Sequence, residues 1–175
     1  EERKSMKTAF SENNFEKIEY YSKRYKVKNS KKINFYNMSF AQMIKIKEEL
    51  LKKINQIPVS MMLAQAAIES GWGSSRFAKE GNALFGEWTW KNNSGLKPRG
   101  NVNAKFAVKS FINISASVNS YILNLNSHSA YKKMRKFRFL MIKSGTSLSG
   151  AETANYLDKY AENGFEYVIK VTSMI

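Results

Sequence analysis

Apolar side chains recur at helical spacing through most of this chain. Residues 4 to 28 carry Phe10, Phe15, Ile18, Tyr21 and Tyr25 at intervals of three to five, which predicts one or two amphipathic helices. The lysine-rich run from Lys23 to Lys28, with Asn29 to Lys32 after it, reads as a solvated helix end and a loop. Phe40, Met43, Ile44, Ile46, Leu50, Leu51 and Ile54 mark a further helix, with Ser39 placed to cap it and Lys45 to Glu49 on its water side. Pro58, tolerated in a first turn, opens the next helix; Val59, Met62, Leu63, Ala66 and Ala67 give it a compact face, and Gly71 stops it. Between Gly81 and Gly100 the pattern gives way to Gly, Asn, Trp, Ser and Pro, which predicts loops with a short hairpin. Phe106 and Val108 alternate within residues 104–111 as a brief strand would. Helical spacing returns over 114–125, 130–142, 149–161 and 166–174, so the expected class is mainly α with a small loop or hairpin region in the middle. No internal repeat is present.

Composition narrows what such a chain can do. Its 175 residues suit one domain, or one domain with a helical appendage, and 43% hydrophobic content supports a real core. With 29 Lys and Arg against 14 Asp and Glu, the formal charge of +15 predicts salt-sensitive attraction to a polyanion: nucleic acid, anionic lipid, or an acidic cell-wall polymer. Gly-rich phosphate loops, zinc-finger spacings and RNA-sheet signatures are missing, which disfavours nucleic acid. Cysteine is absent and His128 stands alone, so disulfides, thiol nucleophiles and the usual Cys/His zinc sites are excluded. A serine triad or a zinc amidase would rest on that single imidazole, which leaves carboxylate-led hydrolysis as the default, with no metal or cofactor required. Glu1 begins the chain without a leader pattern, and no stretch reaches the about 18 apolar residues of a membrane span; any signal peptide is expected to have been trimmed.

Within that frame Glu69 stands out. It lies three and seven residues after Ala66 and Met62, so its carboxyl emerges from an apolar helix face at the negative end of that helix. Both influences disfavour the charged form and predict a raised pKa, as a general acid for glycosidic cleavage needs. Trp72, Trp88 and Trp90 offer faces for sugar stacking, and Asn82, Asn92 and Asn93 offer amides for hydroxyl or acetamido groups. On pattern alone a second account stands beside this one, with Glu69 a surface glutamate and the tryptophans part of the core.

The run Ala64-Gln-Ala-Ala-Ile-Glu-Ser-Gly-Trp-Gly-Ser-Ser-Arg-Phe-Ala78, then Gly81-Asn-Ala-Leu-Phe-Gly86, closely resembles the β-N-acetylglucosaminidase family of peptidoglycan hydrolases. Its Bax-like branch is the nearest likeness, continued by Asn124 to Tyr131, by Leu148-Ser-Gly150 and by Tyr160-Ala-Glu-Asn-Gly-Phe-Glu-Tyr167. These motifs span residues 58 to 175 and imply a lysozyme-like α+β fold for that segment, with residues 1 to 57 similar to the Bax-type helical extension. The resemblance carries the catalytic acid onto Glu69 and a cleft-lining role opposite it onto Tyr160. Tyr167 matches the motif's second tyrosine, or else packs the last helix. The implied reaction is cleavage of the β-1,4 bond on the reducing side of N-acetylglucosamine in peptidoglycan, by a monomer in the cell envelope, periplasmic or secreted.

One departure from the family pattern stands out. Relatives often carry a second acid on the hairpin after the Asn-x-Leu-Phe-Gly motif, yet residues 91 to 111 hold none, and Glu87 is the sole acid between Glu80 and Glu152. Three mechanisms stay open: Glu87 as base, attack by the substrate's own acetamido group with help from Tyr160, or Glu69 alone as in a lytic transglycosylase. A glycan-binding protein without turnover is the alternative from another class. His128 is expected to tie its loop to backbone, Arg76 to orient the Trp72 loop, and Phe77 and Phe85 to be core. The cluster Lys132, Lys133, Arg135, Lys136 and Arg138 either attracts an anionic wall or membrane or forms a solvated face.

Overall fold

A computed structural model describes residues 1–91, 95–99 and 104–175. Asn92 and Asn93, two of the candidate sugar contacts, lie outside the described residues. Two helices, α1 (Glu2–Ser11) and α2 (Phe15–Arg24), form the amino-terminal hairpin, followed by 3₁₀ turns at Ser30–Lys32 and Phe35–Asn37. Then come α3 (Phe40–Lys53), α4 (Val59–Ser70) and α5 (Arg76–Gly81), the strands β1 (Trp88–Thr89), β2 (Gly95–Leu96) and β3 (Ala107–Lys109), and α6 (Ile114–Ser127). A 3₁₀ turn at Ser129–Tyr131 leads into α7 (Lys132–Lys143), α8 (Gly150–Ala154) and α9 (Gly164–Met174). The architecture is mainly α and lysozyme-like, with a small antiparallel sheet ordered β1-β3-β2 and Val108 opposite both Trp88 and Leu96.

Ser39 caps α3 through a reciprocal box with Gln42, in which each side chain accepts a backbone N–H of the other. Phe40 and Ile44, read as part of that helix's apolar pattern, are exposed, and burial falls on Ile46 and Leu50 instead. The buried apolar residues form two clusters. Met6, Phe10, Ile18, Tyr25, Phe35 and Leu50 gather α1, α2 and α3, whereas Met61, Phe85, Tyr121, Leu125, Met134, Leu157 and Val171 gather α4 with α6 to α9. Each fully buried large side chain contributes roughly 1.5–3 kcal/mol through apolar area removed from water.

Polar bonds brace each cluster, and Arg138 on α7 joins the two through the end of α3. Arg3 donates to the Leu51 and Ile54 carbonyls at the end of α3, and Tyr25 donates to Glu2. Arg138 is fully buried, bonded to Asn126 Oδ1 at 2.7 Å and to the Lys53 carbonyl. Arg135 donates to the carbonyls of Leu125 and His128. Arg135 and Arg138 therefore leave the basic cluster read from sequence: helix-end carbonyls need donors in a dry place, and guanidinium groups supply several from one side chain. Lys132, Lys133 and Lys136 remain exposed.

The helix expected over 149–161 is a second correction. Only Gly150–Ala154 is helical, and Asn155 to Asn163 follow in successive tight turns that bury Leu157 and carry Tyr160 to the cleft. The start of α8 packs closely on α4, because a Cβ on Gly150 would stand 2.1 Å from Ser60 Oγ. That contact seats the start of the helix whose far end bears Glu69.

Candidate active site

The α4 helix is the spine of the site. Met61, Ala64 and Gln65 point into the core, and Glu69 follows Gln65 by one turn on the same side. Gly71 takes the left-handed conformation that ends the helix, Trp72 adopts it too, and Ser70 Oγ accepts from the Gly73 N–H at 2.7 Å. This turn leaves Trp72 77% exposed, so it is not core.

Glu69 is only partly exposed, and burial raises its carboxyl above the ordinary glutamate value. A hydrogen bond from Tyr167 and the charge of Lys170, both on α9, partly offset that rise. Behind Tyr167 lies Gln65, whose Nε2 donates to the Tyr167 hydroxyl at 2.8 Å. The Tyr121 hydroxyl donates to Gln65 Oε1 at 2.6 Å. Burial and nearby negative charge raise the Tyr121, Tyr160 and Tyr167 phenols well above their usual value, and the Tyr131 phenol is pushed up to about 12.

In front of Glu69 opens a cleft of about 860 Å³ lined in part by Gly86, Glu87, Trp88, Tyr131 and Tyr160. Phe85 and Gly86, at the end of the segment that follows α5, form part of one wall. Asn82 caps α5 in a left-handed conformation and gives its amide to the Phe111 carbonyl, so this predicted sugar contact is a structural cap outside the cleft lining. Phe85 is buried and stacked on Tyr121 at 4.0 Å. Gly86, at φ +60°, passes so near the acid that a Cβ there would lie 3.2 Å from Glu69 Oε2.

Glu87 enters the same cleft with a 9% exposed side chain. Its Oε2 accepts from Lys109 Nζ at 2.8 Å and from Ser120 Oγ at 2.9 Å, whereas Oε1 is buried without a partner among the described residues. Trp88 lines the cleft and stacks on Phe106, and Trp90 leans against Trp88 but is outside the lining. Tyr160 lines the cleft, donates to the Phe85 carbonyl at 3.1 Å, and lies parallel to Tyr167 at 5.3 Å. Tyr167 is buried, so the candidate sugar contact supports the acid from behind.

Other expectations land elsewhere. Arg76 bonds Glu80 and the Lys97 carbonyl and lies over the Phe77 ring, which ties α5 to the chain leaving β2 instead of ordering the Trp72 loop. His128 accepts the Ala130 N–H and caps a turn. Among the described residues no three His, Asp or Glu side chains gather as a metal-ion site, and no helix is long and apolar enough to cross a membrane. Sequence reasoning missed Gln65, Tyr121, Lys109 and Ser120. A polar residue four positions before a catalytic candidate, on an otherwise apolar helix face, was the available signal for Gln65.

The glucosaminidase family model, described as mannosyl-glycoprotein endo-beta-N-acetylglucosaminidase, matches residues 44–175, starting within α3. The chain belongs to this family. The protein named "Protein bax" from Escherichia coli (strain K12) is 34% identical over 149 residues, which cover 83% of this chain and 48% of that protein. The chain thus spans about half the length of that curated relative. No solved structure matches the chain.

Proposed function

We propose that this protein hydrolyses the β-1,4 bond on the reducing side of N-acetylglucosamine in the peptidoglycan of a cell envelope, with Glu69 as general acid. The observation that carries this reading is a partly buried carboxyl, raised above its ordinary value, that lines a cleft large enough for sugar units. In its neutral form Glu69 protonates the departing glycosidic oxygen as the anomeric carbon loses that bond. The exposed face of Trp88 offers a stacking surface beside the acid. Glu87 is the second carboxyl in this cleft, held at one oxygen by Lys109 and Ser120, and is our candidate for directing water to the anomeric carbon.

A second reading draws on the burial of Glu87 Oε1. If that oxygen stays sealed, water is not activated and the sugar closes on itself, as in a lytic transglycosylase. Mass spectrometry of muropeptides released from purified sacculi decides between them. Reducing N-acetylglucosamine ends support the proposal, and anhydro ends support the second reading. Release of nothing by the wild type, with binding equal to that of Glu69→Gln, leaves a glycan-binding protein and sinks both.

A further inference from the structure

We propose that the cavity between the end of α2 and the Ser30–Lys32 turn is a binding site for a phosphate group, free or borne by a lipid headgroup. Its volume is about 260 Å³, and Lys23, Lys26, Lys31, Lys32, Asn29 and Ser30 line it in part. Four lysines thus surround one concavity, and among the described residues no acidic side chain lines it. Lysine suits a tetrahedral phosphate, because compact charges with rotatable donors reach several oxygens at once, whereas planar carboxylates are matched by arginine forks. The cavity lies before residues 44–175, the segment shared with the glucosaminidase family, and has no lining residue in common with the cleft of Glu69. The proposed hydrolysis makes no use of it.

A merely solvated charge run would leave its lysines to spread, yet here the backbone gathers them. Lys26 and Asn29 take left-handed conformations, at φ 51° and 61°, which residues other than glycine seldom adopt. The loop is held from beneath. Val27 is buried in the amino-terminal cluster and its N–H donates to the Ser22 carbonyl at 2.8 Å, while Lys53 Nζ donates to the Lys26 carbonyl at 3.2 Å. The N–H groups of Ser30 and Lys32 donate to the carbonyls of Val27 and Asn29, and this turn packs back on α2. Glu19 pairs with Lys23 and Glu49 with Lys53, so these two acids are already engaged. Lys26, Lys31 and Lys32 form no ion pair among the described residues. Lys23 also complements the negative end of α2, but the other three lie past that helix. Like charges gathered around one cavity repel each other, and a bound phosphate relieves that repulsion.

The test is a titration of the full chain with inorganic phosphate at constant ionic strength, followed in nitrogen-15 amide NMR spectra. Saturable shifts should centre on Lys23 to Lys32. In the double variant Lys31→Gln with Lys32→Gln the affinity should weaken by roughly ten-fold. The control, Lys132→Gln with Lys133→Gln, removes the same charge from exposed positions on α7 and should change the affinity by less than about two-fold. Shifts that do not saturate, shifts spread evenly over the lysine-bearing surface, or equal weakening in both double variants would overturn the site and leave net charge as the cause. Should the cavity variant fail to fold, the wild-type shift map decides alone. Sedimentation with phosphatidylglycerol vesicles, against phosphatidylcholine vesicles, then separates the sources. Loss in the cavity variant with retention in the control assigns a lipid-borne phosphate, and any other pattern assigns a free one. Turnover of sacculi plays no part in these readouts, so the site stands or falls apart from the proposed reaction.

Discussion

Two glutamates face one cleft from different elements, and their surroundings differ in kind. Glu69 leaves the end of an apolar helix and meets a neutral phenol, with Lys170 as a weaker influence. Glu87 leaves the segment entering β1 and meets an ammonium at 2.8 Å and a hydroxyl, with its second oxygen sealed in. Residue type is the same, so any division of labour between them comes from environment. Burial favours holding a proton, which the phenol only partly offsets, whereas a clamp on one oxygen favours holding a geometry. The lysine and serine that clamp Glu87 come from β3 and α6, elements far along the chain from it.

The sharpest way to break this contrast is to neutralise each side in turn. Glu69→Gln should reduce solubilisation of purified sacculi by about 10²–10⁴-fold while sedimentation of the protein with sacculi persists. Comparable clearing by the variant would remove Glu69 from the chemistry. For Glu87→Gln we expect a loss on the order of 10² in kcat, without a matching loss of folded protein in thermal melts. A fall that tracks the melting temperature would mean that Glu87 only braces the β1–β3 region. Gly86→Ala probes the wall next to the acid. Its left-handed backbone should cost about 1–2 kcal/mol in denaturant unfolding, and the added methyl near Oε2 should lower kcat further than that loss explains.

Linkage offers a gentler test. A carboxyl raised by burial binds its proton more tightly folded than unfolded, so it opposes folding as pH climbs from the ordinary glutamate range through its own higher value. Below that window both states are protonated and the penalty vanishes. Glu69→Gln should therefore melt roughly a few degrees above wild type near neutral pH and converge with it in acid. Parallel melting curves at every pH would show that the site does not favour the neutral acid. The smallest effect should come from Trp88→Ala, with KM for soluble glycan fragments up by about three- to ten-fold and kcat nearly unchanged.

Much of the molecule was legible along the chain. Helical spacing located α1 to α4, α6, α7 and α9, Ser39 and Gly71 marked their helix ends, and Phe106 and Val108 foretold β3. These are local matters, decided by periodicity and by a few residues with particular backbone preferences. The stretch after Ala154 misled because Tyr156, Leu157 and Tyr160 have helical spacing, yet their burial is met by turns that wrap the cleft. Likewise Arg135 and Arg138 look like a solvated charge run until the fold presents Arg135 to carbonyls at the end of α6 and, as α7 packs on α3, Arg138 to those of α3.

Sequence by itself determined the helical class, the family, and Glu69 as an acid on an apolar face at a helix end. Only the tertiary structure decided what surrounds that acid. Tyr167 lies 98 positions beyond Glu69 and Tyr121 lies 56 beyond Gln65, separations over which no periodicity speaks. Hydrogen bonds depend on distance and direction to within fractions of an ångström, and such precision arises only when helices distant in sequence close on one core.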